Sequence, residues 1–183
     1  MNAIELMMEE HKNIKEMLKV VRNASLLILE ENKVNVEDFY KVIKFIRNYA
    51  DSHHHKKEEI MLFNRMVEEI GETAEKVVKY GMLVEHDLGR LYVSNLEEAL
   101  KSYEEGNNNS KLDIIANAIS YCNLLDRHIH KEDNVIYKFA ERELKEETIK
   151  SIDSECVIFE DENKEIKDEN LDILNELKLK YFK

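Results

Sequence analysis

The chain has 183 residues, 36% of them charged, and a formal net charge of −12 at pH 7. This length fits one domain with a sizeable core, and the acidic balance disfavours nucleic acid and anionic membrane surfaces as partners. No apolar run approaches the roughly 20 residues of a membrane span, and the first residues lack the basic-then-apolar order of a signal peptide. Only Cys122 and Cys156 are present, without metal-type spacing, so the composition indicates a cytoplasmic protein.

Long helices are expected, because the chain has no proline and only 4 glycines, and these residues end or weaken helices. Apolar residues recur every three or four positions, which is the pattern of a bundle helix. The pattern predicts helices at about 3–31, 36–70, 73–105 and 110–144. Since the connections between them are short, neighbouring helices should be antiparallel. The predicted fold is therefore all-α, an up-down-up-down antiparallel four-helix bundle that occupies residues 1–144.

The last segment, residues 145–183, is more strongly charged than the predicted bundle. It still keeps apolar residues such as Leu171, Leu174 and Leu177 at helical spacing. We expect it to form an additional C-terminal helix that packs on the bundle or on a second copy of the chain, as in a homodimer. A solvated, partly disordered tail is the alternative.

Polar residues interrupt the apolar face of every predicted bundle helix. In the second helix, His54 and Glu58 stand four residues apart, so both side chains lie on one face, and that face is the apolar one. The fourth helix repeats the pattern with His128 and Glu132. The first and third helices each place one histidine on the apolar face, His11 and His86. Such groups are costly to bury without a partner; a metal ion is the expected partner, and purely structural histidines are the alternative.

Four imidazoles and two carboxylates, all directed inward, limit the choice of metal. They are too many for one tetrahedral zinc ion, and thiolates are absent from the set. They are too rich in nitrogen for Ca²⁺ or Mg²⁺, which prefer oxygen. A mixed set of imidazoles and carboxylates suits iron, or manganese less well. The number of ligands favours two ions that share both glutamates as bridges, with two histidines each.

Four motifs surround these residues: EH at 10–11, HHxKEExxLF from 54, EHDxGR from 85 and HIxKEDxxxY from 128. In this order they resemble the hemerythrin-like (HHE cation-binding) domains over residues 1–144. The resemblance implies two non-haem iron ions with carboxylate and oxo or hydroxo bridges, which meet O₂, NO or peroxide. The ligands that it implies are His11, His54, Glu58, His86, His128 and Glu132.

Two positions depart from the oxygen-carrying members of that family. Arg90 stands where they have a third histidine, and both Glu132 and Asp133 are available on the fourth helix. We expect Glu132 to be the ligand, because on an ideal helix it points much closer to His128 than Asp133 does. Without the third histidine, each iron should have two histidines and one open position, unless His55 turns inward.

The other polar residues near the motifs are expected to be solvated or to lie at the boundary of the core. They include His53, His55 and Lys57, which the ideal-helix projection places away from the apolar face. Arg90 and Lys15 should either reach solvent or pair with the two glutamates.

Several functions are compatible with such a chain. It could bind or sense O₂ or NO, or reduce peroxide or O₂ with electrons from a donor that the sequence does not identify. It could also donate iron for cluster repair, or be a metal-free helical interaction protein. No cysteine-bearing repair domain and no sensor partner domain is recognised in this sequence, which favours scavenging. Two open iron positions predict fast oxidation by O₂ or peroxide without a long-lived oxygen adduct.

Overall fold

The computed structural model describes residues 2–182; Met1 and Lys183, at the outer ends of the two predicted domains, lie outside the described residues. The structure is 92% helical, and no strand occurs within residues 2–182. None of the helices in this range is both long and apolar enough to cross a membrane. The predicted all-α class is therefore confirmed.

Four long helices, each predicted to within one residue at either end, form the bundle. They are α1 (Ala3–Glu31), α2 (Val36–Phe45 through Asn64–Ile70), α3 (Glu72–Val77 through Leu83–Glu104) and α4 (Ser110–Lys131 through Tyr137–Glu143). Helices α1 and α3 each contact both α2 and α4. The last three helices contain π-helical turns, in which backbone hydrogen bonds reach five residues back. These turns lie at Ile46–His55, Glu58–Phe63, Val78–Met82 and Glu132–Ile136.

Specific residues mark the points where the helices begin and end. The Asn2 side chain accepts a hydrogen bond from the Glu5 N–H at 2.8 Å, and the Glu5 carboxylate accepts one from the Asn2 N–H at 3.0 Å. This reciprocal capping box begins α1. Asn32, in the left-handed conformation, ends α1. Gly71 ends α2 with a φ of 79° and a ψ of −143°, a conformation that side chains with a Cβ rarely adopt.

The C-terminal segment forms the expected addition to the bundle. It consists of α5 (Glu146–Glu162) and α6 (Lys164–Tyr181), which meet at Asn163. Both helices contact α1 and α2, and the Tyr181 hydroxyl donates a hydrogen bond to the Asp38 carboxylate at 2.5 Å. The added helix therefore lies on the bundle as two segments, whereas its separation as a domain of its own stays a prediction.

Two apolar clusters fill the bundle and leave a polar layer between them. One cluster contains Ile14, Val42, Val93 and Ile114. The other contains Met7, Leu62, Met82 and Ile136. Between the two clusters each bundle helix buries polar side chains, at 10 and 11 in α1, at 53–55, 57 and 58 in α2, at 86 in α3 and at 128 and 132 in α4. The fold therefore encloses histidines and glutamates in a layer with apolar packing on both sides.

Candidate metal centre

The structure brings together all six residues that the sequence singled out. Each is at most 1% exposed: His11, His54, Glu58, His86, His128 and Glu132. Their ligand atoms form two groups that share Glu58, and within each group these atoms lie within 4.8 Å of one another. The first group consists of His11, His54, Glu58 and Glu132. The second contains Glu58, His86 and His128 together with a histidine that was not expected there.

That histidine is His55, and its predicted boundary position is wrong. Its side chain is buried, and its ring stacks on that of His86 with the ring centroids 3.8 Å apart. His55 ends the π-helical turn Ile46–His55. Because a π-helical turn holds more residues than an α-helical turn, the α-helical projection misplaces side chains within it. Three histidines therefore lie on one side of the layer and two on the other, which removes the basis for two equivalent irons.

The two buried glutamates each reach both groups of histidines. Glu132 places its carboxylate oxygens 3.3 Å from Nε2 of His11 and 2.9 Å from Nε2 of His128. Glu58 places one oxygen 3.6 Å from Nε2 of His54 and, equally, 3.6 Å from Nε2 of His86. Asp133, the alternative to Glu132, lies outside the two groups. Glu58 and Glu132 are thus the carboxylates positioned between the two sets of imidazoles.

Several buried polar atoms in this layer have no hydrogen-bond partner among the described residues and are suited to bind a metal ion. His54 Nε2, Glu58 Oε2 and both carboxylate oxygens of Glu132 are buried without a hydrogen-bond partner. Each buried polar group left unpaired costs about 1–3 kcal/mol. Since these four atoms converge on a common space, cations bound there would satisfy all of them, and their nitrogen and oxygen donors suit a first-row transition metal.

Burial and mutual repulsion control the protonation of these groups. Burial, and then the charge of Glu132, raise the pKa of Glu58 well above its usual value. Burial alone would raise the pKa of Glu132 as well, but the neighbouring histidines, His128 first, lower it well below its usual value. Burial lowers the pKa of His54 to about 4 and that of His55 well below its usual value. Neutral imidazoles are the form that binds a metal, and His54 and His55 are held in it. Burial alone would lower the pKa of His128, but the carboxylates of Glu132 and Glu85 outweigh burial and raise this pKa to about 9.

A carboxylate faces the Nδ1 atom of each of the five histidines. The Nδ1–carboxylate distances are 2.6 Å for His11 and Asp133, 2.8 Å for His54 and Glu10, 2.7 Å for His86 and Glu59, 2.9 Å for His128 and Glu85, and 3.5 Å for His55 and Asp51. A histidine whose Nδ1–H donates to a carboxylate keeps the lone pair of Nε2 for a metal. For His11, His54, His86 and His128 the carboxylates therefore fix both the tautomer and the orientation that metal binding needs, whereas His55 Nδ1 has no hydrogen-bond partner within residues 2–182.

Basic side chains neutralise these outer carboxylates in turn. Lys57 pairs with Glu10, Lys15 with Asp133, Lys131 with Glu85, and Arg90 with both Asp51 and Glu59. Of the two alternatives for Lys15 and Arg90, pairing with the central glutamates is wrong, because the outer carboxylates lie between them and the centre. Both side chains reach solvent, as the other alternative expected. Lys57 and His53 also depart from their expected surface or boundary positions, and they are 0% and 2% exposed.

Comparison with known proteins agrees with this geometry. The family model for the hemerythrin HHE cation binding domain matches residues 2–140. The chain belongs to the hemerythrin HHE cation-binding family. Comparisons with curated proteins and with solved structures give no match. The buried histidine and glutamate layer is thus the layer of a cation-binding helical domain.

A buried tyrosine of this hemerythrin-like domain, Tyr137, is the last residue of the fourth motif, but the motif alone assigned it no role. The Tyr137 hydroxyl donates a hydrogen bond to Glu58 at 2.5 Å and lies 3.4 Å from Nε2 of His11. Its ring stacks on that of His11, with the centroids 5.6 Å apart. Tyr137 directly follows Glu132–Ile136, the π-helical turn that begins with the buried Glu132. It places a phenol hydroxyl on the side of the layer that has two histidines.

A cavity of about 90 Å³ leads from the surface towards the side that has three histidines. His55 and His86 form its inner wall, and Arg90 and Asp51 lie along it. The Tyr121 hydroxyl, which is buried and has no hydrogen-bond partner, also lines this cavity. A water-sized molecule can therefore enter this cavity and reach the three-histidine side of the buried layer, opposite the side of Tyr137.

Proposed function

We propose that this hemerythrin-like domain holds two non-haem iron ions and binds one small oxygen or nitrogen ligand, such as O₂, NO or peroxide. The observation that carries the proposal is the unequal grouping of histidines around Glu58, with three on one side and two on the other. Mixed imidazole and carboxylate donors favour iron over zinc, calcium or magnesium. A cytoplasmic location is part of the proposal, because Cys122 and Cys156 are free thiols.

Each group of residues would have its own task in this centre. His55, His86 and His128 would hold one ion, His11 and His54 the other, and Glu58 and Glu132 would bridge them. The outer carboxylates would orient the imidazoles through Nδ1 and increase their basicity. The apolar clusters on both sides would exclude bulk water and so strengthen these interactions.

The small ligand should bind on the side with two histidines, because that ion has fewer protein ligands; the cavity lined by His55 and His86 would admit it to the layer from the three-histidine side. Reduced iron, if bound here, would supply electrons for reduction of an oxygen species. Tyr137 lies on this side, so its hydroxyl can move from Glu58 to the ligand and donate a hydrogen bond there. With His55 inside the centre, one open position is expected instead of two, and reversible binding becomes as compatible with the site as rapid oxidation.

Azide titration of the oxidised, iron-loaded protein tests this proposal. Azide is a small anion that occupies open iron positions and gives an absorption band when it binds. We expect saturation at one azide for every two irons, because only the two-histidine side is open. Saturation at two azides for every two irons would contradict the unequal arrangement. Absence of any azide binding would contradict an open position.

Reduction of peroxide is a second candidate, and Tyr137 favours it, because a buried phenol can hydrogen-bond the oxygen that leaves. We expect Tyr137→Phe to slow oxidation of the reduced protein by hydrogen peroxide about tenfold or more and to change its reaction with O₂ much less. Tyr40→Phe is the control, because the hydroxyl of Tyr40 bonds Glu104 near the surface, away from the centre. Equal rates for both variants with peroxide would remove this candidate.

A further inference from the structure

The basic residues that pair with the outer carboxylates differ in their access to solvent. The side chains of Lys15, Arg90 and Lys131 are 37%, 40% and 45% exposed, but that of Lys57 is 0% exposed. A fully buried ammonium needs close compensation, because its desolvation costs several kcal/mol. Lys57 is therefore the one base of this set that requires a further partner from inside the protein.

The further partner comes from the C-terminal extension. Glu160, on α5, forms an ion pair with Lys57. The Nε2 atom of His53 lies 3.1 Å from the Lys57 ammonium and 2.9 Å from the Glu160 carboxylate. Lys57 also pairs with the same carboxylate, Glu10, that bonds Nδ1 of His54 at 2.8 Å. A continuous chain of contacts thus runs from α5 to a histidine of the proposed metal centre.

The three groups around Lys57 could themselves hold a cation. Glu10, His53 and Glu160 each direct a ligand atom to a common space. The Lys57 ammonium is in contact with all three. It therefore takes the place that a metal ion would occupy, and the cluster serves as a fixed positive charge beside Glu10.

We propose that Glu160 is a positioning residue of the metal centre, so that α5 completes the surroundings of His54. Glu160 balances the charge of Lys57. Glu10 can therefore bond His54 as well as Lys57. Without Glu160, the uncompensated ammonium attracts Glu10 more strongly, and the bond from Glu10 to His54 weakens. The inference rests on the proposed metal centre, and it concerns a residue beyond the part of the chain, 2–140, that matches the family.

The segment α5 is held firmly enough for this purpose. The Asp153 carboxylate accepts a hydrogen bond from the Ala3 N–H at 2.7 Å, and Glu155 pairs with Arg65 at 2.6 Å. The ring of Phe159 lies 5.4 Å from that of His53, between centroids. These contacts join α5 to both α1 and α2 in the residues that precede Glu160.

The test compares Glu160→Gln with Glu162→Gln, an identical change at an exposed position of the same helix. Metal affinity is measured by competition with a chelator, and the absorption spectrum of the cobalt-loaded protein reports the ligands of the metal. We expect Glu160→Gln to weaken binding of one of the two ions about 10- to 100-fold and to shift the spectrum. Glu162→Gln should match the wild type.

A purely structural effect of Glu160 gives a different result. It would lower the thermal midpoint of the metal-free protein and leave metal affinity and spectrum unchanged, and that outcome overturns the inference. The double variant Lys57→Met/Glu160→Leu removes both charges, so no ammonium draws Glu10 away from His54, and its metal affinity should recover towards that of the wild type. An affinity as weak as that of Glu160→Gln would also overturn the inference. If the wild type and Glu162→Gln bind no metal, the proposed function fails, and this inference fails with it.

Discussion

Four histidines of the proposed metal centre, His11, His54, His86 and His128, are held from two directions. The Nδ1 of each bonds a carboxylate and the Nε2 side faces the centre, so these imidazoles can neither rotate nor change tautomer without losing a hydrogen bond. His55 is the least tightly held, because its Nδ1 is 3.5 Å from Asp51, which is beyond a good hydrogen bond. Its stacking on His86 compensates in part, with the ring centroids 3.8 Å apart. The position of His55 decides whether the two proposed ions have equal or unequal numbers of histidine ligands.

We expect His55→Leu to lower the metal content and to weaken the ion on the side of His86 and His128. The reason is that this side then keeps only two imidazoles, and leucine cannot replace the third. Metal content per chain and chelator competition measure the effect. His130→Leu, on the exposed face of α4, is the matched control. Identical metal content and affinity in wild type and His55→Leu would show that four histidines suffice.

The helices themselves were predictable, whereas the π-helical turns were not. Periodicity and the lack of proline give the long helices, and four-residue spacing gives pairs such as His54 and Glu58. A shift of backbone hydrogen bonds from four to five residues leaves no trace in an α-helical projection. His55 and Lys57, in or beside such turns, were therefore assigned to the wrong environment.

Two of the outer carboxylates, Glu10 and Glu85, could be noticed in the sequence because each directly precedes a histidine, which the apolar periodicity does not register. Glu10 precedes His11 but bonds His54, and Glu85 precedes His86 but bonds His128. In each case, adjacent residues serve two different helices. Adjacent residues on a helix point about 100° apart, so one faces the centre and the other the neighbouring helix. Which neighbour it meets depends on the packing, and a single sequence does not specify that.

The turn between α2 and α3 gives a test at the level of the helices. We expect Gly71→Ala to lower the free energy of unfolding by about 1–3 kcal/mol, because alanine is strained at this backbone conformation. Gly81→Ala is the control, since Gly81 is within a helical segment with nothing within 4 Å of an added Cβ. That change should be neutral or stabilise by up to about 1 kcal/mol. Chemical denaturation measures the free energy of unfolding of both variants. An unchanged value for Gly71→Ala would contradict the proposed backbone strain.

Across the whole molecule, the polar layer separates two apolar clusters that would otherwise form one core. Such a layer is destabilising unless its charges are compensated. Bound metal should therefore stabilise the entire fold. The C-terminal helices add to this arrangement, because Phe159 and Cys156 belong to one apolar cluster and Leu174 and Leu177 to the other. The extension thus spans the polar layer from outside.

We expect removal of the metal by a chelator to lower the thermal midpoint by roughly 5–10 °C. Metal at about 100 times its Kd contributes about 2.7 kcal/mol, and each 1 kcal/mol corresponds to about 2–4 °C in a domain of this size. Calorimetry with and without chelator measures the shift. The variants Glu58→Ala and Glu132→Ala should each lose most of it, because both carboxylates are proposed as bridges. A shift of equal size in either variant would contradict that assignment.

The central claim, a centre that holds two iron ions, is tested most directly by the metal content of the protein. The protein is reconstituted anaerobically with ferrous iron, freed of unbound metal and assayed for iron per chain. Two groups of ligands that share Glu58 predict about two irons per chain. A content of one iron or less at saturation would contradict the account.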